Sequence, residues 1–452
     1  MKKNTLKRWL ALALSAVCMM SLVACGAKEE APAATEEPAV EAEQEAEAEP
    51  APEAATISLM IFQSWNNDTF EEILAEIEAE ENITVDLQVV PDAEFGQLVQ
   101  TKAAVGELPD LVTQNSTQLN VLGAENFADL SNEEWVSRLS RPETVTYDGK
   151  VMAFPMKAYS FAGGVFYNKP VFEKLGVEIP TTWDEFLAVC EQIKGEGMVP
   201  IGRSDSEDWT TQSFPGMGIP FSLFPDSEAT IKKIGTGEVA WTDLPEIEAV
   251  VEDLLEIYEK GYVNEDYYTT SWATAQEMLA NGDCAMLVCA DFVIDTIAST
   301  YPDKLDDIGY FAFPIDDQQL ACTGRDVWTM FVNKDSENLD AVKRFLNAYS
   351  QKKYQDKYYA ANPCPMPAFT DADGGNVPQI QIDIADKYFA TGNYTYEYGD
   401  YMPSTAGSAW WDSFCKNIMA GASGEMTAAD IVAEYQNALA EVMKANNAEG
   451  WE

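Results

Sequence analysis

The chain has 452 residues, 46% of them hydrophobic, and carries 76 acidic against 28 basic side chains, a formal charge of -48, with no histidine. That length supports two or three domains with sizeable cores. The charge removes nucleic acid as a partner, because polyphosphate recognition needs a basic face, and leaves neutral or cationic ligands. Without histidine there is no His-based triad, no His general base and no mixed Cys/His zinc site.

Lys2, Lys3, Lys7 and Arg8 precede an apolar run, 9–23, that is too short and wrongly flanked to span a membrane, and Leu22-Val23-Ala24-Cys25-Gly26 closes it. Residues 1–25 therefore read as a secretory signal. Its end resembles a bacterial lipobox, which implies lipidation at Cys25 and a protein held only through lipid at the extracellular face of the bacterial cytoplasmic membrane. Residues 26–55 are Ala, Glu and Pro with almost nothing to bury, so dense like charge is expected to leave them a solvated, disordered acidic tether.

The folded part opens with an apolar strand at 57–62, a polar turn through Trp65, Asn66 and Asn67, and a helix with Phe70, Ile73, Leu74 and Ile77 on one face. Ile83, Val85, Leu87 and Val89 then alternate as a second strand, parallel to the first. A helix at 95–104 and a strand at 109–112 repeat the unit. Ligands of open α/β sheets sit beyond the carboxyl ends of the strands, which places Trp65, Asn66, Gln114 and Asn115 at one rim. At 147–168 a Gly turn, an apolar run closed by Pro155, a polar and aromatic passage and a second apolar run read as strand, crossing, strand. Thr182 and Glu185 have capping-box spacing before a helix with Phe186, Leu187, Cys190 and Ile193 on one face. Helices at 244–259 and 271–281, strands at 284–288 and 308–314, and a helix from Asn338 carrying Val342, Phe345, Leu346 and Tyr349 follow. Cys190, Cys284, Cys289, Cys322, Cys364 and Cys415 form no C-x-x-C and are expected to be mostly free, buried thiols. Asp371-Ala372-Asp373-Gly374 lacks the third acidic position and distal Glu of a calcium loop, so neither metal nor cofactor is expected.

The stretch 147–193 resembles the sugar-binding family of ABC-transporter extracellular solute-binding proteins. Asp148-Gly149-Lys150, the run closing on Pro155, Tyr167-Asn168-Lys169, Phe172-Glu173-Lys174-Leu175-Gly176 and Thr182-Trp183-Asp184-Glu185-Phe186 match that family's pattern in order. Gly106, Pro109 and Asp110, then Gly282-Asp283-Cys284-Ala285-Met286, then Ser423-Gly424-Glu425-Met426-Thr427 supply further pieces, so that the resemblance spans 56–445. It implies an α/β, two-lobed, periplasmic-binding-protein-like fold of type II. The first lobe would comprise 56–160 and 323–395, the second 161–322 and 396–452, with the last crossing between Gly392 and Met402.

The same resemblance implies a ligand lying against the first crossing at Tyr159, and a second-lobe segment whose Trp209 and Gln212 stack on sugar and bind hydroxyls. Ala290-Asp291-Phe292 stand where many relatives carry Gly-x-Trp, so the stacking Trp of a standard oligosaccharide subsite is missing and only Phe292 is available to replace it. Arg325 and Asp326 fall at the return crossing, suited to bidentate hydrogen bonding with vicinal hydroxyls. In the C-terminal segment an early aromatic would stack on the ligand. Trp411 lies three and seven positions before Phe414 and Ile418 and joins their stripe, whereas Trp410 is offset by about 100° and is expected to face the cleft. Gly163, Gly164 and Gly324 are expected to absorb the backbone change of a closing motion. The implied function is capture of a carbohydrate, an oligosaccharide, by a monomer that passes it to permease subunits, with no catalytic residue. The alternatives are a carboxylate-pair glycoside hydrolase, for which the acids are present but no motif is, and a sugar-sensing or adhesive surface lipoprotein.

Overall fold

The structure is a computed structural model that describes residues 53–451. The leader, Cys25 and nearly all of the acidic segment lie outside the described residues. In chain order the strands are β1 (Ala55–Phe62), β2 (Ile83–Val90), β3 (Leu111–Asn115), β4 (Thr146–Tyr147), β5 (Lys150–Val151), β6 (Phe154–Pro155), β7 (Gly163–Asn168), β8 (Val199–Ile201), β9 (Cys284–Ala290), β10 (Ile308–Phe311), β11 (Ala321–Thr323), β12 (Trp328–Val332) and β13 (Tyr394–Tyr396). They form a first sheet ordered β2-β1-β3-β12-β6, a second ordered β13-β11-β7-β9-β8 with β10 also on β7, and a small β4-β5 hairpin.

Apolar patterning decides where each strand sits. Ile57, Leu59, Met60 and Ile61 are buried on both faces of β1, as an interior parallel strand requires. β2 pairs with β1 along its whole length, from Ala55↔Ile83 to Phe62↔Val90, but it is the sheet edge, and its alternation ends with Val89 in water. Between them the helix Asp68–Glu81 starts at Asn67, whose side chain accepts the Phe70 N–H, and buries Phe70, Ile73, Leu74 and Ile77. It stops at Asn82 in the left-handed conformation, φ 53°. The helices Leu339–Tyr349 and Lys352–Ala361 return to pack on it and complete the first lobe.

In the second lobe β9 is apolar throughout and lies between β7 and β8, buried except at its last residue. The helix Trp183–Gly195 is capped by Thr182, whose hydroxyl accepts the Glu185 N–H at 3.2 Å, while the Glu185 carboxylate reaches back to Thr181. Val189 joins Phe186, Cys190 and Ile193 in the core, and Leu187 is only part-buried. The helix Ala428–Ala445, held by a capping box between Thr427 and Asp430, buries Ile431, Tyr435, Leu439 and Met443 in the same lobe. Cys190, Cys284, Cys289, Cys322 and Cys364 are free and buried, and Cys415 is buried. Among the described residues no helix is long and apolar enough to cross a membrane.

Three crossings join the lobes: β6 to β7, β11 to β12, and the passage from the helix Lys352–Ala361 to the helix Gln379–Ile384. That last helix already packs on β10, and β13 pairs with β11, so the third crossing precedes Gln379 instead of falling between Gly392 and Met402. The sequence hides this because residues 379–389 fold as helix and carry no mark of the sheet they cover. The crossing glycines serve close approach. A Cβ on Gly324 would meet Ser160 Oγ at 2.6 Å, where the first two crossings touch, and one on Gly164 would meet the Tyr310 ring at 2.5 Å.

Candidate functional site

The two sheets present matching ends to one another. In the first, β1 and β3 finish where β12 begins, with Asn115 opposite Trp328 and Gln114 opposite Thr329. In the second, β9 finishes where β7 begins, with Ala290 opposite Gly163, and Cys322 of β11 is opposite the same Gly163. Between these ends lies a cleft of about 540 Å³ lined by Lys157, Tyr159, Asp291, Phe292, Trp328 and Asn362, among others. That is within the range of small-ligand sites.

On the first-lobe wall the ring that faces the cleft is Trp328. Trp65, expected there, is 6% exposed and lies behind it, stacked at 4.4 Å and 15°. The loop after β1 is polar, but it ends against an aromatic from a strand more than two hundred residues away, and that contact buries it. Gln114 is likewise buried, its side-chain oxygen accepting the Asn115 N–H at 2.9 Å. Asn66 donates to Glu71 at 2.7 Å and keeps a buried Oδ1 without a partner. Trp328 stands in the return crossing, where the sequence singles out the charged Arg325 and Asp326 instead. Lys157 holds its ammonium 4.1 Å from the Trp328 ring centre and has no ion-pair partner among the described residues; burial lowers its pKa.

The floor is built around Asp291, which is 2% exposed. Its carboxylate accepts from the Tyr159 hydroxyl, the Ala162 N–H at 2.9 Å and the Gln381 amide at 3.1 Å, and so ties the first and third crossings to the end of β9. Burial pushes its pKa up to about 6 despite these donors. Tyr159 is correspondingly held away from solvent, its hydroxyl spent on Asp291, so that only the edge of this residue lines the cleft.

Beside the floor, buried Arg141 donates to the Ala158 carbonyl at 3.1 Å and to the Tyr396 hydroxyl at 2.9 Å. The Tyr396 ring has the Arg325 guanidinium 4.4 Å from its centre and that of Arg141 at 5.6 Å, a cation on each count. Arg325 also pairs with Glu228 at 3.0 Å, and the Asp326 carboxylate accepts the Thr117 N–H and hydroxyl at 3.2 and 2.9 Å. Both expected hydroxyl-binding groups are thus engaged by the protein: the arginine because aromatic and acidic side chains of the second lobe meet it, the aspartate because it caps the turn after β3. Glu397 and Asp400 stand close by, their pKa values raised by burial, with repulsion from Asp400 and Asp326 adding at Glu397 and from Asp326 at Asp400, and Asp400 accepts the Arg325 N–H at 2.6 Å.

The second-lobe wall carries Phe292, 39% exposed, with Trp209 and Trp272 against it. Trp272 was missed because it reads as the first residue of an ordinary amphipathic helix. Gln212 and Trp410 are not in this cleft; they line a separate cavity of about 190 Å³ with Glu397 and Trp411. The two tryptophans are reversed from expectation. Trp410 is 8% exposed, stacked between Tyr398 at 4.9 Å and Phe414 at 4.7 Å, while Trp411 is 39% exposed. A π-helical turn over Trp410–Cys415 is responsible: its wider turn puts residues four apart in line, so that 410, 414 and 418 form the buried stripe.

Two α/β lobes, three crossings and a cleft at the facing strand ends are the architecture of a two-lobed ligand-binding protein. The model of the bacterial extracellular solute-binding protein family matches residues 64–356, and the chain belongs to that family, as the sequence motifs implied. Among curated relatives, the multiple sugar-binding protein of Streptococcus mutans is 22% identical over 75% of this chain and 82% of its own. The melibiose/raffinose/stachyose-binding protein MelE of Bacillus subtilis is 22% identical over 85% of this chain and 87% of its own. Among solved structures, a putative binding protein MsmE of Bacillus subtilis in an open conformation superposes with a TM-score of 0.72, at 19% identity over 88% of this chain and all of that one.

Proposed function

We propose that this protein is the carbohydrate-capturing component of an ABC importer, taking an oligosaccharide between its lobes and delivering it unaltered to permease subunits. The observation that carries the reading is the cleft itself: Trp328 on one wall, Phe292 on the other, and amide and charged groups between. Saccharides present apolar C–H faces and hydroxyl edges, which such walls match. Both curated relatives are named as sugar-binding proteins, and the name of MelE, with melibiose, raffinose and stachyose, favours an oligosaccharide. The lobes close over the ligand by rotation at the crossings, and Cys25 carries the lipid that keeps the monomer at the extracellular face of the membrane, two or more acyl chains sufficing for stable anchoring.

The test is a thermal-shift and calorimetric screen with galactose, melibiose, raffinose, stachyose and malto-, xylo- and manno-oligosaccharides. A ligand at a hundred times its Kd adds about 2.7 kcal/mol to the liganded fold. One strong hit recovered chemically unchanged after prolonged incubation is expected. No stabilisation by any saccharide would refute the reading, and cleavage products would replace it with the hydrolase.

A further inference from the structure

Glu207 lies between β8 and the turn Asp208–Gln212, and its two carboxylate oxygens are spent on two segments far apart in sequence. One accepts the Trp209 indole N–H at 3.0 Å and the other the backbone N–H of Trp272 at 2.9 Å. Trp272 is the first residue of the helix Trp272–Asn281, so its N–H has no partner within the helix, and a carboxylate there is favoured by the helix end as well. The hydroxyl of Ser271, at the N-cap, serves Thr274 instead.

The Trp209 indole so fixed and the indole of Trp272, whose backbone the same carboxylate holds, sit 5.3 Å apart at 73°. Phe292 completes the triangle, 5.5 Å from Trp272 and 5.8 Å from Trp209, all three rings steeply inclined to each other. Edge-to-face contacts of this kind favour one arrangement over others. Phe292 nevertheless leaves 39% of its surface in water and lines the cleft, opposite the wall that Trp328 supplies. A large, partly exposed ring held at a cleft wall is a surface for an apolar ligand face.

We propose that Glu207 is the positioning residue of this platform, Trp209, Trp272 and Phe292, and that the platform holds a saccharide ring other than the one over Trp328, so that it discriminates oligosaccharides from monosaccharides. The proposal rests on the carbohydrate reading above. Only a carboxylate satisfies both N–H groups. A glutamine of the same size offers one acceptor oxygen, and its amide nitrogen would point a donor at the second N–H. Glu207→Gln therefore loosens one side of the platform without emptying the space, and leaves the rest of the cleft in place.

Two measurements test it. The first needs no ligand: the exciton circular-dichroism signal of the Trp209/Trp272 pair, taken as the wild-type minus Trp272→Phe difference, should fall to less than half in Glu207→Gln, at near wild-type melting temperature. The second is titration of raffinose, stachyose and galactose: Glu207→Gln should lose at least tenfold in affinity for the tri- and tetrasaccharide and less than twofold for galactose. An unchanged exciton signal overturns the positioning role. A lost signal with undiminished oligosaccharide affinity, or equal losses for galactose and stachyose, overturns the platform as a second ring site. If the wild-type protein binds no saccharide while the signal still collapses, the carbohydrate reading and the ring site with it are refuted and the positioning role stands.

Discussion

Removing the Asp291 carboxylate tests the account of the cleft floor most directly. In Asp291→Ala three donors, from Tyr159, Ala162 and Gln381, lose their acceptor at residues that are almost wholly buried. A buried donor left unpaired costs about 1–3 kcal/mol, so the three together cost about 6. Against this, the carboxylate is held ionised at neutral pH although its pKa is about 6 against 3.8 for an exposed aspartate, an unfavourable contribution of about 3 kcal/mol. The net expectation is a loss of about 3 kcal/mol at pH 7. Asp291→Asn keeps one acceptor and removes the buried charge, so it should lie within about 1 kcal/mol of wild type at pH 7. The pH dependence has a definite sign. A carboxyl group with a raised folded-state pKa stabilises the fold below 3.8 and loses that contribution as pH rises through about 6. Wild type should accordingly gain about 1 kcal/mol on Asp291→Asn between pH 7 and pH 5. Urea denaturation at both pH values, with unchanged slopes, measures each quantity. An Asp291→Ala variant as stable as wild type, or a gap to Asp291→Asn that does not move with pH, would refute the reasoning.

Three further outcomes follow from the packing. Trp410→Ala should lower stability by about 3–5 kcal/mol, because the ring is stacked on both sides in the core, and Trp411→Ala by less than about 1, with melting of the two variants as the readout. Asp205→Ala should cost about 3–5 kcal/mol in denaturant, since it strands the buried Arg203 guanidinium, paired at 2.6 Å, and the Tyr258 hydroxyl. Trp328→Phe should weaken saccharide binding at least tenfold by calorimetry, about 1.4 kcal/mol, at nearly unchanged stability, whereas Trp65→Phe should act the other way round.

What the sequence could reveal was local. The helix Asp68–Glu81 declares its cap and its buried face within fifteen residues, and β9 declares itself by an unbroken apolar run. Trp410 and Trp411 could not be told apart, because spacings of four and eight and of three and seven both fit a helical stripe, and the π-turn that chooses between them has no simple residue signature. What the side chains of Trp65, Arg325 and Asp326 do depends on Trp328, on Tyr396 and Glu228, and on Thr117. Each of those partners comes from a distant part of the chain, and periodicity reports only on neighbours. The same limit hid Gln381, which reaches Asp291 across the third crossing.

The strand β12 has a consequence for the order of folding. It lies between β3 and β6 in the first sheet and pairs Trp328–Val332 with Leu111–Asn115. A chain emerging amino end first, from a ribosome or through a membrane pore, therefore exposes β1, β2 and β3 long before the strand that joins them to β6 arrives. Until Val332 is free the first lobe remains a fragment with an open edge, and closing a loop of that length is entropically costly and slow. The discontinuity of the lobe in sequence therefore defers closure of the first sheet until most of the chain has emerged.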